Sequence, residues 1–301
     1  MNRLERLSKV FESSKVIPFD DSSRFILMSD CHRGDGSWAD NFRKNRNNYY
    51  AALTYYFKNN FTYIELGDGD ELWENDEMDE IISQHGDVFM LLSKFVESNR
   101  VYFIYGNHDM VKKKFGAGRR INWRYYDEND RKNILLFESI KVHEGLILQH
   151  VKTGYKIFLV HGHQMDFLND TLSWLSKFLV RYFWRPLEML GIKDPTSTSK
   201  NRQKKASIEE KMTEWVRRNK HMLIAGHTHR PVFPDPGQVP YFNDGCCVHP
   251  NGITGIEIRE GWIIPVRWST KTREDGTLYV DRDEIKEPKK LKDYFDFSRN
   301  V

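Results

Sequence analysis

The chain has 301 residues, of which 39% are hydrophobic and 30% charged, with a formal net charge of +3. This is the composition of a soluble globular protein with room for one large core or two modest domains. No run of about 18 apolar residues offers a membrane span, and so small a net charge gives no ground for a nucleic-acid partner. Cys246 and Cys247 are adjacent and Cys31 lies far off. That spacing makes neither a disulfide framework nor a CxxC zinc site, and it suits a reducing compartment.

The opening stretch, MNRLERLSKVFESSK, reads as a short amphipathic helix. It lacks the apolar core and small-residue cleavage site of a secretory signal, so a cytoplasmic location is expected. RFILM (24–28) is a buried strand that ends in SDCH. Residues 41–58 carry Phe42, Tyr49, Leu53 and Tyr56 at helical spacing with no Gly or Pro. TYIEL (62–66) is a strand followed by GDGDELW, and residues 79–97 form the next helix. VYFIY (101–105) is a strand followed by GNHD. This alternation predicts βαβ units and a parallel sheet.

From 134 to 160 the rhythm changes to short strands, ILLF, KVHEG, LILQH and YKIFLV, the last ending in HGH. MLIAG (222–226) leads into HTH, and YFNDGCCV, GITGIEIR and GWIIPVRW follow as short strands. Residues 165–219 interrupt the strands as a helical insertion. LSWLSKFLVRYFWRPLEML carries Lys177, Arg181 and Arg185 at intervals of four, a basic stripe on an apolar helix. A polar basic loop and the helix SIEEKMTEWVRR come next. A substrate-covering cap is the preferred reading of the insertion. A membrane-surface patch, a dimer interface and an ordinary buried helix pair stay open. Residues 1–270 are expected to form one domain and the charged stretch 271–301 a surface appendage. The sequence sets no oligomeric state.

Five polar clusters follow five apolar runs: DCH (30–32), GDGDE (67–71), GNHD (106–109), HGH (161–163) and GHTH (226–229). Side chains at the ends of neighbouring strands converge on one rim, where open α/β sheets bind ligands. Asp, His and Asn are ligands for divalent metals of borderline hardness, and adjacent glycines let the backbone turn sharply. Taken alone, Asp30 and His32 read more readily as ordinary loop polar groups than as ligands.

Taken in order, the five clusters resemble the calcineurin-like metallophosphoesterase superfamily over roughly residues 24–269. The resemblance implies an α/β fold, a four-layer αββα sandwich with a helical insertion, and two divalent metal ions at the strand ends. Manganese is the leading candidate, with Fe, Zn, Ni or Co as alternatives. It further implies Asp30, His32 and His229 on the first metal, Asp68 bridging, and Asn107, His161 and His227 on the second. His108 would sit over the substrate phosphate as the catalytic group, with Asn107 beside it. Glu71 takes the place of an Asp that supports this histidine in many relatives; Asp70 and Asp109 are the alternatives. FNDG (242–245) resembles the family's supporting Asn-x-Gly turn.

The implied reaction is hydrolysis of a phosphodiester, pyrophosphate or phosphomonoester by a hydroxide bridging two cations. Arg33 is a candidate for a substrate phosphate oxygen, and Lys112–Lys114 for attracting anions. Cys31 should point away from the ligands into the core, and His163 is left outside the ligand set. LGDGDELW and the insertion resemble the UDP-2,3-diacylglucosamine hydrolase branch, although that branch typically has Arg where this chain has His108. A phosphorylated small molecule or a lipid-linked nucleotide is the expected partner, with peripheral membrane contact through the insertion as a further option. A serine/threonine protein phosphatase is the alternative enzyme, weakened by the absence of the longer G-D-x-x-D-R-G pattern. A non-catalytic metal-binding scaffold is the alternative from another class.

Overall fold

The computed structural model describes residues 2–75, 77–116, 123–127, 131–137, 140–166, 201–295 and 297. Two sheets form its centre. The larger contains β2 (Arg24–Met28), β3 (Thr62–Leu66), β4 (Val101–Ile104) and β7 (Val142–His143), all parallel. On its other side β12 (Ile253–Arg259), β13 (Trp262–Thr272) and β14 (Leu278–Glu284) continue it antiparallel, and β15 (Lys289–Lys290) pairs with β13. The smaller sheet runs β1 (Lys15–Phe19), β8 (Gly145–His150), β9 (Lys156–Val160), β10 (Met222–Ala225), β11 (Tyr241–Asn243). A separate hairpin pairs β5 (Trp123–Asp127) with β6 (Lys132–Phe137).

Alternation along each strand builds the layers. In β2, Phe25 and Leu27 face the smaller sheet, while Ile26 and Met28 face helices. In β9, Ile157 and Leu159 face the larger sheet, while Phe158 and Val160 face outward. The helices α2 (Arg46–Lys58), α3 (Met78–Gln84) and α4 (Gly86–Glu97) cover the larger sheet. α1 (Arg3–Ser13) and α5 (Arg202–Asn219) cover the smaller. The result is a four-layer αββα sandwich with three cores. Each buried Leu, Ile or Phe in them contributes about 1.5–3 kcal/mol.

Three stretches differ from the sequence expectation, and a fourth is not described. The helix expected over 79–97 is two helices, broken at His85. Its imidazole is fully buried 2.9 Å from Asp40, and a Cβ at the adjoining Gly86 would run into the Tyr125 ring. The helix expected over MNRLERLSKVFESSK ends at Ser13, and β1 follows from Lys15, where no strand was expected. It is an edge strand, where Pro18 costs no ladder hydrogen bond. The stretch expected to be an appendage after 271 carries β14, paired with β13 over seven residues, and α6 (Lys292–Phe295), whose Tyr294 and Phe295 are buried in the inter-sheet core. The apolar helix around Lys177–Arg185, and with it the cap, membrane and interface readings, lies outside the described residues.

Candidate metal centre

The five polar clusters meet at the carboxyl ends of β2, β3, β4, β9 and β10, where the two sheets face each other. The loops are strained there. Asp30, His32, Asp68, His227 and His229 all have positive φ, between 48° and 68°. Asp and His tolerate this left-handed region better than bulky residues do, at a cost of about 1–3 kcal/mol each. The loops are held by backbone bonds to one another: Asp30 N to Gly67 O, His32 N to Asp68 O and Gly226 N to His161 O. Gly106 is required because a Cβ there would collide with the Asp68 carboxylate. Gly67, at φ 100°, would place a Cβ 2.7 Å from the His161 ring.

Three groups of side chains have the spacing of metal ligands: Asp30, His32 and His229; Asp68, His161 and His227; and, at the rim, His32, Glu71 and His108. Within the first, Asp30 Oδ1 is 3.0 Å from His229 Nε2 and 3.7 Å from His32 Nε2. Within the second, Asp68 Oδ2 is 3.1 Å from His161 Nε2. The same Asp68 oxygen lies 3.9 Å from His32 Nε2, so this carboxylate stands between the two groups. His161 Nδ1 donates to Leu66 O at 2.8 Å, which turns its Nε2 toward Asp68. Asp30 Oδ1, His161 Nε2, His227 Nε2 and both amide atoms of Asn107 are buried without a hydrogen bond. Buried polar atoms are normally satisfied. Lone pairs of O and N converging from two sides fit two divalent cations of borderline hardness.

Glu71 organises the rim. Its Oε2 is 2.7 Å from His32 Nδ1 and its Oε1 is 2.7 Å from His108 Nδ1. A carboxylate only accepts, so each Nδ1 is a donor, and His32 Nε2 is turned toward Asp30 and Asp68. Trp73 stacks on the His108 ring at 4.1 Å and 24°, fixing its plane. The His108 side chain is 21% exposed and that of His229 16%, so the centre opens to solvent on this side. His108 N donates to Asp68 Oδ1 at 2.8 Å. His227 N donates to Asp30 Oδ2 at 2.8 Å.

The electrostatics match a site built for positive charge. Burial alone would raise the Asp30 and Asp68 carboxyls, but His229 and His161 outweigh it and hold both far down in the ionised form. Burial alone would lower His161 and His229, but Asp68 and Asp30 outweigh it and lift both to about 9. Cation binding must therefore displace protons from these imidazoles. His227 and His163 shift downward because burial dominates. Asp244 is pushed up by burial and by Asp30, and it accepts from Ser29 Oγ at 2.7 Å. In the FNDG turn, Asn243 Nδ2 donates to Gly226 O at 2.6 Å and so steadies the GHTH loop.

Two expected substrate contacts are corrected. Arg33 is only 1% exposed. Its guanidinium lies between Asp70 Oδ1 at 2.6 Å and Glu65 Oε2 at 2.8 Å, on the helix side of the large sheet. Lys112 is likewise buried, with Nζ 2.7 Å from Asp109 Oδ2 and close to Asp70. Both side chains point away from the rim and into this buried ion network. Asp70 and Asp109 serve this ion network, and neither touches His108. Cys31 is fully buried among the helix-side residues.

Sequence reasoning missed Trp73, although its Leu-Trp context stood out, and Asp166, whose Oδ2 is 3.5 Å from His227 Nε2. Asp166 follows the HGH cluster by three residues. Only its position in space marks it.

The sequence profile of the family described as calcineurin-like phosphoesterase matches residues 23–231, more than half of the chain. The chain belongs to this family. No curated protein sequence matches it. Among solved structures it is similar to one titled "Crystal structure of Chaetomium thermophilum Vps29", with 8% identity and a TM-score of 0.42, covering 89% of this chain and 97% of that one.

Proposed function

We propose that the protein hydrolyses a phosphate ester or anhydride, with a phosphodiester or pyrophosphate as the preferred substrate. The observation that carries this is the Asp68 carboxylate between two ligand groups, with His108 locked beside them and open to solvent. Asp30, His32 and His229 would hold one divalent ion, Asn107, His161 and His227 the other, and Asp68 both; manganese is our first choice. Two such ions supply Lewis acidity toward a phosphoryl oxygen and a nucleophile from water at neutral pH.

The chain's own groups do the rest. Glu71 holds His108 Nδ1 so that Nε2 faces the leaving oxygen, to which it delivers a proton. Trp73 stacks on one face of that imidazole and keeps water from it. Asn107 lies beside the same loop, where its amide donates to the substrate as well as ligating. The ion network behind the loops keeps the constellation from relaxing.

A phosphorylated small molecule or a lipid-linked nucleotide suits the part-open rim. No helix among the described residues is long and apolar enough to cross a membrane, and three free buried cysteines support a cytoplasmic setting. The first test compares bis-p-nitrophenyl phosphate with p-nitrophenyl phosphate, with Mn present or chelated, in wild type and His108→Ala. Metal-dependent preference for the diester is expected. Preference for the monoester would favour a protein phosphatase. No hydrolysis of either by the Mn-loaded protein would overturn the enzymatic reading in favour of a binding scaffold.

A further inference from the structure

α5 grips the GHTH loop at two points. Its Glu209 accepts from Thr228 Oγ1 at 3.1 Å and from Arg230 Nε at 3.0 Å, the two residues that flank the ligand candidate His229. Lys204, in the first turn of the helix, places Nζ 2.7 Å from Asp166 Oδ2. The same Asp166 oxygen lies 3.5 Å from His227 Nε2. Asp166 is 3% exposed. It closes the short turn His163–Met165, and its N donates to His163 O at 2.8 Å. Its carboxylate is therefore fixed by the loop that also carries the ligand candidate His161. Lys204 neutralises it, and His227 faces it.

A neutral imidazole has one N–H and one lone pair, on different nitrogens. A cation takes the lone pair, and the remaining N–H of a metal-bound histidine is donated to a carboxylate or a carbonyl. His161 already shows this division, with Nδ1 on Leu66 O and Nε2 toward Asp68. On His227 the acceptor lies on the other nitrogen. A carboxylate beside Nε2 marks that atom as the donor and leaves Nδ1 for the ion. At 3.5 Å the contact is just too long for a hydrogen bond, and Nε2 is unbonded. An approach of about 0.5 Å would bring it into the ordinary range.

We propose that Asp166 is the positioning residue of the second ligand group: it receives His227 Nε2–H, so that His227 ligates through Nδ1, and Lys204 ties the arrangement to α5. This rests on the two-cation part of the phosphoesterase reading and goes beyond it. Asp166 touches no substrate and acts through His227 alone. The two histidines of the second group then ligate through opposite nitrogens, each oriented by its own acceptor.

The first test is made on the full-length wild-type protein loaded with Zn and labelled with ¹⁵N-histidine. Long-range ¹H–¹⁵N spectra distinguish a protonated from a metal-bound ring nitrogen, and the loss of one ring in His227→Gln assigns it. His227 should show a protonated Nε2 and a metal-bound Nδ1. Metal on Nε2 overturns the proposal, and this measurement needs no Asp166 variant to fold. The second test titrates the metal-free protein with Mn by calorimetry. Asp166→Ala should weaken one of two Mn equivalents by about 10–100-fold. Asp166→Asn keeps an acceptor and should recover part of that loss. Lys204→Met removes the ion pair but not the acceptor, and should bind both equivalents as wild type does. Wild-type Mn binding in Asp166→Ala overturns the proposal. So does an equal loss in Lys204→Met, which would make Asp166 an anchor for α5 only. Both tests read metal binding and not turnover. A Mn-loaded wild type that hydrolyses nothing would therefore remove the phosphoesterase reading and leave the role of Asp166 to these results.

Discussion

The same three loops carry two charged clusters, one on each side of the large sheet. Toward the smaller sheet lie Asp30, His32, Asp68, Asn107 and His108. Toward the helices lie Arg33, Asp70 and Asp109, joined by Glu65 and Lys112. The helix-side cluster is closed. Arg33 makes bonds to Asp70, Glu65 and Tyr49, and Tyr63 completes Glu65. The inner cluster is open, with five polar atoms of Asp30, Asn107, His161 and His227 unbonded. A closed buried network resists perturbation, and an open one is poised for a ligand. The closed cluster thus clamps from behind the loops whose strained residues present the open one.

Substitutions can separate the two. The largest effect is expected for Asp68→Asn, which removes the charge shared by both ligand groups. Metal content and hydrolysis should fall together, by more than the roughly 10–100-fold of an outer-shell change. Metal analysis beside the kinetic assay checks this, and wild-type metal content would remove the bridging role. His108→Ala should leave the metals bound while turnover falls by about 10²–10⁴. Unchanged turnover at full metal content would end its catalytic assignment.

On the closed side, Arg33→Met should cost about 3–5 kcal/mol of stability, because Asp70 and Glu65 lose their counterion in the interior. Denaturant unfolding measures this. A variant as stable as wild type would show that the clamp carries no strain from the site.

Acid should also attack the closed cluster. Burial pushes the Asp70 carboxyl up, but Arg33 and Lys112 outweigh it and hold it at about 2. A depressed carboxyl contributes stability that is present above its unfolded value near 3.9. That stability, about 2 kcal/mol, is lost as pH falls from about 4 toward 2. Asp70→Asn should be weaker at neutral pH yet show a shallower acid slope in unfolding free energy. An identical slope would assign acid sensitivity elsewhere. The smallest effect is expected for Trp73→Leu, which removes the stacked partner of His108 and should cost at most about 1.5 kcal/mol, seen as a fall in turnover of roughly tenfold or less.

Much of the centre was legible in the chain because its residues sit immediately after apolar runs. RFILM, TYIEL, VYFIY, YKIFLV and MLIAG are the strands they read as, and each delivers its polar cluster to the rim. Glu71 could be placed by the G-D-x-x-D spacing of the family the chain resembles, and the adjacent parallel strands that end in GDGDE and GNHD bring it to His108. Arg33 and Lys112 could not. One residue separates a rim position from a buried one, and left-handed φ at Asp30 and His32 reverses the simple alternation. The break at His85 was hidden because apolar spacing continues through it; only Asp40, from a distant loop, explains it. β14 was hidden because its residues are charged, as befits an edge strand whose pairing comes from β13 rather than from its own burial pattern.

By itself the sequence determined the strand runs, the ligand chemistry and the order in which the loops present it, because these depend on local periodicity and residue type. The tertiary structure decided which side each loop residue faces, that Asp68 stands between two groups, and that Glu71 serves two histidines. Those outcomes depend on two sheets closing over one another, and contacts between residues far apart in the chain leave no periodic trace in it.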